Sequence, residues 1–277
     1  MDPKKKCGTI AIVGQPNVGK STLLNYFVGT KLSITSRKAQ TTRYQLLGIC
    51  SDSDTQYIFV DTPGYQLRHL NMMNRSLNKT VHQALKDVDV ILFMIGPGVL
   101  DEIDNKILKM IPEVTPIVLA INKVDLLKEK SKLLGFIKEL DAIDRFEAII
   151  PTSVKKSNNL EPLKHALKSF LPEQDFIFSK DELTDKNERF LSAEIVREKV
   201  FRLTGQELPY SIAVEIEKFE IIEGVRRIFA AIILDIDAHK PMIIGKNGKR
   251  LKEISTSSRR DMEKLFGSKV WLEIWVK

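Results

Sequence analysis

Short, nearly unbroken apolar runs alternate along the chain with longer stretches in which apolar residues recur every three or four positions. The runs Thr9–Val13, Gln56–Val60, Val88–Ile95, Pro116–Ile121 and Glu147–Ile150 have the length and β-branched content of buried strands. Tyr44–Cys50 reads as a further strand that can pair with Gln56–Val60 as a hairpin. Helical spacing covers Ser21–Val28, Met72–Lys86, Glu102–Met110, Lys128–Leu140 and Leu160–Leu171. Strands that are apolar throughout are covered on both faces. This β–α rhythm therefore predicts a mostly parallel sheet between two layers of helices, with ligands beyond the carboxyl ends of the strands.

After Leu171 the pattern changes. The stretch "PEQDFIFSKDELTDKNE" is polar and acidic without a period, and predicts a linker over residues 173–187. Beyond it come a helical pattern over Arg189–Leu203 and an alternating strand over Pro209–Phe219, with Ile212, Val214 and Ile216 on one face. A second strand over Val225–Asp237 follows, then a glycine-broken helical stretch over Pro241–Gly267 and a last strand over Val270–Val276. The expected organisation is an α/β domain over residues 1–172, the linker, and an α+β domain over residues 188–277 ordered α-β-β-α-α-β.

Composition narrows the class. The 277 residues are 43% hydrophobic and 29% charged, as in water-soluble globular proteins, and the formal net charge of +7 suits an anionic partner. The two cysteines, Cys7 and Cys50, have no metal-ligand spacing and suit a reducing compartment. No apolar run reaches about 18 residues, and the basic start Met1–Lys6 is not followed by a secretory pattern, so a cytoplasmic protein is expected.

The chemistry sits where the rhythm places it, just after strands. Gly14-Gln15-Pro16-Asn17-Val18-Gly19-Lys20-Ser21 fits G-x-x-x-x-G-K-[ST] between a strand and a helix. Such a turn aims backbone N–H groups at phosphate oxygens, with residues Gly14 to Thr22 lining the phosphates. Lys20 would neutralise the terminal phosphates, and the Ser21 hydroxyl would serve Mg²⁺. Asp61-Thr62-Pro63-Gly64 follows the next strand. Asp61 suits an outer role at the metal, and Gly64 can bring its N–H to the γ-phosphate. In Gln40-Thr41-Thr42-Arg43 a hydroxyl can complete the metal shell, and Thr42 is favoured over Thr41.

Asn122-Lys123-Val124-Asp125 selects the base. A carboxylate at Asp125 accepts from the N1–H and 2-amino group of guanine, whereas adenine lacks the 2-amino group and presents an acceptor at N1. Ser153-Val154-Lys155, after the sixth strand, can offer a backbone N–H to the exocyclic oxygen of guanine. The four histidines have no ligand spacing, and no nucleophile–base pair suggests covalent catalysis, so water is the expected attacker.

In the second domain, Ile243-Ile244-Gly245-Lys246-Asn247-Gly248-Lys249-Arg250 places two glycines around basic residues between helices. Residues 240–264 hold eight Lys or Arg against three acids. That excess suits a nucleic-acid backbone, and with the α-β-β-α-α-β frame it resembles a type II KH module that binds unpaired RNA.

The combination of "GQPNVGKST", "ITSRKAQTTR", "VDTPG", "INKVD", "ELPYSIAVEIEKF", "MIIGKNG" and a terminal "LEIWVK" resembles the Era family of bacterial GTPases over essentially the whole chain. The resemblance implies a P-loop NTPase domain with a mostly parallel sheet, followed by a KH domain. It implies a GTP/GDP switch with Mg²⁺ that binds the 3′ end of the small-subunit rRNA and acts in 30S subunit maturation. Peripheral contact with the inner membrane and a monomeric chain belong to the same expectation. Relatives with Asn at the position of Asn17 hold K⁺ there in place of an arginine finger.

Two positions depart from related patterns. Tyr65 stands where Ras-like enzymes orient water with glutamine, and Val154 stands where the family usually has alanine. The position of Tyr65 leaves open an alternative, an RNA-binding assembly factor that senses GTP without useful turnover.

Overall fold

The computed structural model describes residues 4–35, 42–65, 72–129, 131–204 and 212–277. The first sheet has six strands: β1 (Lys6–Gly14), β2 (Leu46–Ser51), β3 (Thr55–Asp61), β4 (Val90–Ile95), β5 (Ile117–Ile121) and β6 (Ala148–Pro151). Their order is β2-β3-β1-β4-β5-β6, with every neighbouring pair parallel except the β2–β3 hairpin. Helices α1 (Lys20–Val28), α2 (Met72–Ala84), α3 (Glu102–Met110), α4 (Ser131–Asp141) and α5 (Leu160–Ser169) connect them.

The apolar runs become strands because both of their faces are buried. Ala11, Val13, Ile91, Phe93, Leu119 and Ile121 point to one side, into a core shared with Val81 and Leu85 near α2, Ile107 of α3, and Phe136 and Leu140 of α4. The intervening residues Ile10, Ile12, Leu92 and Val118 point to the other side and are equally buried. On β3, Phe59 stacks on Phe27 of α1 with ring centroids 5.1 Å apart. Each fully buried residue of this size contributes about 1.5–3 kcal/mol, so the central strands hold the loops at their carboxyl ends on a rigid base.

The second sheet has three strands, β7 (Ile212–Ile222), β8 (Val225–Leu234) and β9 (Val270–Val276), with β7–β8 antiparallel and β8–β9 parallel. Helices α6 (Glu188–Leu203), α7 (Lys240–Ile244) and α8 (Lys249–Phe266) complete this unit. Its core joins Ile195, Val196 and Val200 of α6 to Ile216, Ile228, Ile232, Ile254 and Met262. The order α-β-β-α-α-β matches the sequence reading. The proposed start of β7 at Pro209 lies outside the described residues.

The structure divides into two units, with the cut between Asp185 and Lys186 inside the stretch read as a linker. One comprises Met1–Gly29 with Thr42–Asp185, the other Thr30–Thr41 with Lys186–Lys277. The stretch read as a linker is tied to the first unit up to Asp185. The buried Gln56 side chain donates to Phe178 O (2.8 Å) and accepts from Ile177 N (3.0 Å) and Phe178 N (2.9 Å). Ile49 N donates to Leu183 O (2.9 Å), and Leu47 N to the Asp185 carboxylate (3.0 Å). A polar, aperiodic sequence thus lies as an ordered strap along the sheet, because its backbone satisfies a buried amide and the edge strand β2.

Candidate nucleotide site and nucleic-acid loop

The turn between β1 and α1 has a backbone that few residues can follow. Gly14 has φ +148°, and a Cβ there would lie 2.2 Å from Met94 O; at Gly19, with φ +114°, it would lie 2.3 Å from Asn122 Nδ2. Helix α1 starts without a side-chain cap, so its first N–H groups face an incoming anion. Lys20 is buried, and its ammonium donates to Gly14 O (3.1 Å) and Gln15 O (2.9 Å). Burial pulls its pKa down to about 8, against the opposing pull of Asp61.

Three hard oxygens meet beside that turn. Ser21 Oγ is 2.9 Å from Thr42 Oγ1 and donates to Asp61 Oδ2 at 3.0 Å, while Thr42 Oγ1 is 3.4 Å from the same carboxylate oxygen. Two hydroxyls and a single carboxylate suit Mg²⁺, which keeps few protein ligands and takes the rest from phosphates and water. Asp61 ends β3 opposite Ile12 of β1, and Thr62 Oγ1 donates to Ile12 O (2.7 Å), which fixes the following loop. That loop lies against the phosphate turn: a Cβ on Gly64 would come within 2.7 Å of the Pro16 backbone. Gln40 and Thr41 lie outside the described residues, whereas Thr42 lies beside Ser21.

The loops read as base contacts are braced on the same turn. Asn122 is buried; it donates to Val18 O (2.7 Å) and accepts from Val154 N (3.1 Å). Lys123 adopts a left-handed conformation and donates to Asn17 O (2.5 Å). The exposed Asp125 carboxylate accepts from Ser153 Oγ (2.5 Å), which fixes its orientation. Ser153 and Val154 are buried, and Lys155 is exposed. All the loops read as phosphate, metal and base contacts thus converge at the carboxyl ends of β1, β3, β5 and β6. Thr22 and Asn17 are exposed at the same turn, and Asn17 has positive φ.

Two features escape the sequence reading. Asp101 caps α3 through Ile103 N (2.8 Å) and Asp104 N (2.9 Å) and also accepts from Gln15 Nε2 (2.8 Å). An aspartate before a helix signals the cap, but nothing local signals the tie to Gln15. Tyr65 is 6% exposed and packs into the core, edge-on to His82. It packs into the core at the position where Ras-like enzymes carry a water-orienting glutamine.

In the second unit, α7 and α8 flank the glycine loop. Gly245 has φ +72°, and a Cβ there would crowd Arg250 Cβ at 2.8 Å; Asn247 and Gly248 also have positive φ. Lys246 and Lys249 are exposed. Two expected RNA contacts are placed differently. Ile243 is fully buried in the core, because α7 must bury one side to pack, which leaves Ile244 (37% exposed) on the surface. Arg250 donates back to Met242 O and so clamps the loop.

Comparison with known proteins agrees with this geometry. Residues 9–123 match the family model described as 50S ribosome-binding GTPase, and residues 207–277 match the KH domain model. The GTPase Era of Nitrosomonas eutropha is 49% identical, over 98% of this chain and 92% of that protein. The GTPase Era of Chromobacterium violaceum is 46% identical, over 98% and 92%. Among solved structures, Aquifex aeolicus Era, as a variant bound to GDP·AlF4⁻, superposes with a TM-score of 0.93 at 40% identity, covering 98% of this chain and 93% of that one. An Era in complex with MgGDPNP and nucleotides 1506–1542 of 16S ribosomal RNA also gives 0.93, at 41% identity over 99% and 93%. With a GTPase-type sheet and a KH domain in one chain, and relatives up to 49% identical matched over nearly their whole length, the protein belongs to the GTPase Era family.

Proposed function

We propose that this GTPase couples its nucleotide state to binding of the 3′ end of small-subunit rRNA during maturation of the 30S subunit. The observation that carries the nucleotide half is the convergence of Ser21, Thr42 and Asp61 within 2.9–3.4 Å beside the buried Lys20. The RNA half rests on the KH unit and on the related Era bound to a 16S rRNA fragment.

In this reading Ser21 and Thr42 would hold Mg²⁺, with Asp61 beside them. When bound, the metal neutralises charge on the β- and γ-phosphates. Lys20 leaves the carbonyls of Gly14 and Gln15 for the phosphates. Gly64 presents its N–H to the γ-phosphate with no side chain between, and the N–H groups of residues 14–22 cradle the rest. Asp125, held by Ser153, accepts from guanine, and Val154 N–H and Lys155 frame the base. Asn17 supports K⁺ beside the phosphates. Lys246 and Lys249, with Gly245, Asn247 and Gly248, let an RNA backbone approach closely.

No amide occupies the place of Tyr65, so among this chain's own groups the Gly64 N–H is left to orient the attacking water. Single-turnover hydrolysis of GTP with Mg²⁺ tests this, with and without an oligonucleotide of the 16S rRNA 3′ end. Acceleration by that RNA and not by a scrambled one is expected. Equal rates with both would refute the coupling.

A further inference from the structure

All three helices of the second unit pack on one face of its sheet. Ile195 of α6, Ile243 of α7 and Ile254 of α8 share a core with Ile228, Leu272 and Ile274. Side chains alternate along a strand, so the residues between these point outward. The register sets Arg227 beside Trp271, Phe229 beside Glu273 and Ala231 beside Trp275 on that outward face. It holds both tryptophans of the chain. Trp271 is 58% exposed, and the half-buried Trp275 and Phe229 have ring centroids 6.5 Å apart. Aromatic surface gathered in one patch, rather than scattered singly, marks a contact face.

The groups around these rings select the occupant. Glutamates at 215, 217, 220 and 273 stand against Lys218, Arg227 and Lys277, whereas residues 240–264 on the helix side hold eight Lys or Arg against three acids. The rings already hold one cation of the chain itself. The Lys218 ammonium lies 5.8 Å from the Phe229 centroid while it pairs with Glu220 (3.0 Å). Glu273 accepts from Trp271 Nε1 (3.0 Å), which sets a carboxylate at the edge of the exposed indole. The face of an indole attracts a guanidinium, and a carboxylate beside it pairs with the same group, whereas both repel a phosphate.

Three strands of this length present a strip of about 15 Å by about 20 Å. That falls well short of the roughly 800 Å² per partner of a stable dimer, and it fits a short extended segment better than a second copy. We propose that the outward face of β7, β8 and β9 docks a short arginine-bearing segment of a basic protein partner. Guanidinium groups stack on Trp271 and Trp275 and pair with Glu273 and Glu215, while the glycine loop on the helix side stays open to RNA. The inference is independent of the RNA reading above.

The test uses the full chain and a labelled arginine–glycine repeat peptide, with a glutamate–glycine repeat as comparison. Peptide anisotropy gives the affinity. Because both tryptophans lie on this face, their emission reports where the peptide binds. The arginine peptide is expected to bind saturably and shift that emission, although peptide and protein both carry net positive charge. Trp271→Ala should weaken binding about tenfold, the scale of one desolvated cation–π contact. Glu273→Lys should weaken it by at least as much, through repulsion. Thermal melts report the folding of both variants, and should Trp271→Ala not fold, Glu273→Lys at its exposed site carries the test.

Unshifted emission with millimolar arginine peptide would overturn the proposal. So would equal affinity for the glutamate peptide, or the same affinity in wild type, Trp271→Ala and Glu273→Lys. An oligonucleotide of the 16S rRNA 3′ end that by itself shifts the emission, with an affinity that Trp271→Ala lowers, would make the face an RNA platform instead. A dimer in sedimentation that Trp271→Ala returns to monomer would assign the face to a second copy and overturn the proposal as well.

Discussion

Lys20 shows how one residue is poised between stability and function. Its ammonium is buried against two carbonyls, and the fall of its pKa from 10.5 to about 8 corresponds to roughly 3 kcal/mol of unfavourable charge burial. Because the folded pKa lies below the unfolded one, the penalty is in full force below pH 8 and is relieved between about 8 and 10.5. Lys20→Met is therefore expected to raise the stability of the nucleotide-free protein at pH 7 by about 1–3 kcal/mol while abolishing tight GTP binding. Urea unfolding from pH 7 to 10 checks the stability part, with wild type gaining on the variant as pH rises, and a GTP titration checks the binding part.

Asp125 makes a second residue-scale prediction. In Asp125→Asn the side chain no longer accepts two guanine donors, so GTP affinity should fall by more than 10²-fold. Xanthosine triphosphate, whose 2-oxo group accepts from the new amide, should recover part of that loss in a competition assay. Such residues stand out in the sequence because the P-loop pattern and the Asn-Lys-x-Asp run each place particular residue types in a fixed order after a strand. Phe229, Trp271 and Trp275 do not stand out: each fits a strand pattern, and only the strand register gathers them on one face.

At the scale of elements, the strands show how far hydrophobic pattern alone carries. β4, β5 and β9 lie where unbroken apolar runs or alternation place them, since burial of these faces is what makes them strands. The strap over residues 173–185 is the opposite case. Its order comes from backbone groups bonding to Gln56, Leu47 and Ile49, which no periodicity records. Loops that touch the phosphate turn are set just as closely. Alanine at Gly64 would drive a Cβ into the Pro16 backbone, so the Gly64→Ala protein should hydrolyse GTP about 10²-fold more slowly, with GDP binding retained. Asp101→Ala removes the α3 cap and the hold on Gln15. A loss of about 1 kcal/mol is expected in thermal unfolding, with weaker nucleotide binding on top of it.

In the whole molecule one chain carries a GTPase unit and a KH unit. If Asn17 supports K⁺ at the phosphates, GTP turnover is faster in potassium than in sodium at equal ionic strength, and Asn17→Ala erases the difference. Both units were visible as a change of pattern near residue 172. The grouping of residues 30–41 with the C-terminal unit was not, since it depends on contacts more than 160 positions apart. The most direct test of the central claim is the affinity of the full protein for a labelled oligonucleotide of the 16S rRNA 3′ end, measured with MgGDPNP and with MgGDP. Binding at least tenfold tighter with MgGDPNP is expected; the same affinity in both nucleotide states would contradict the account.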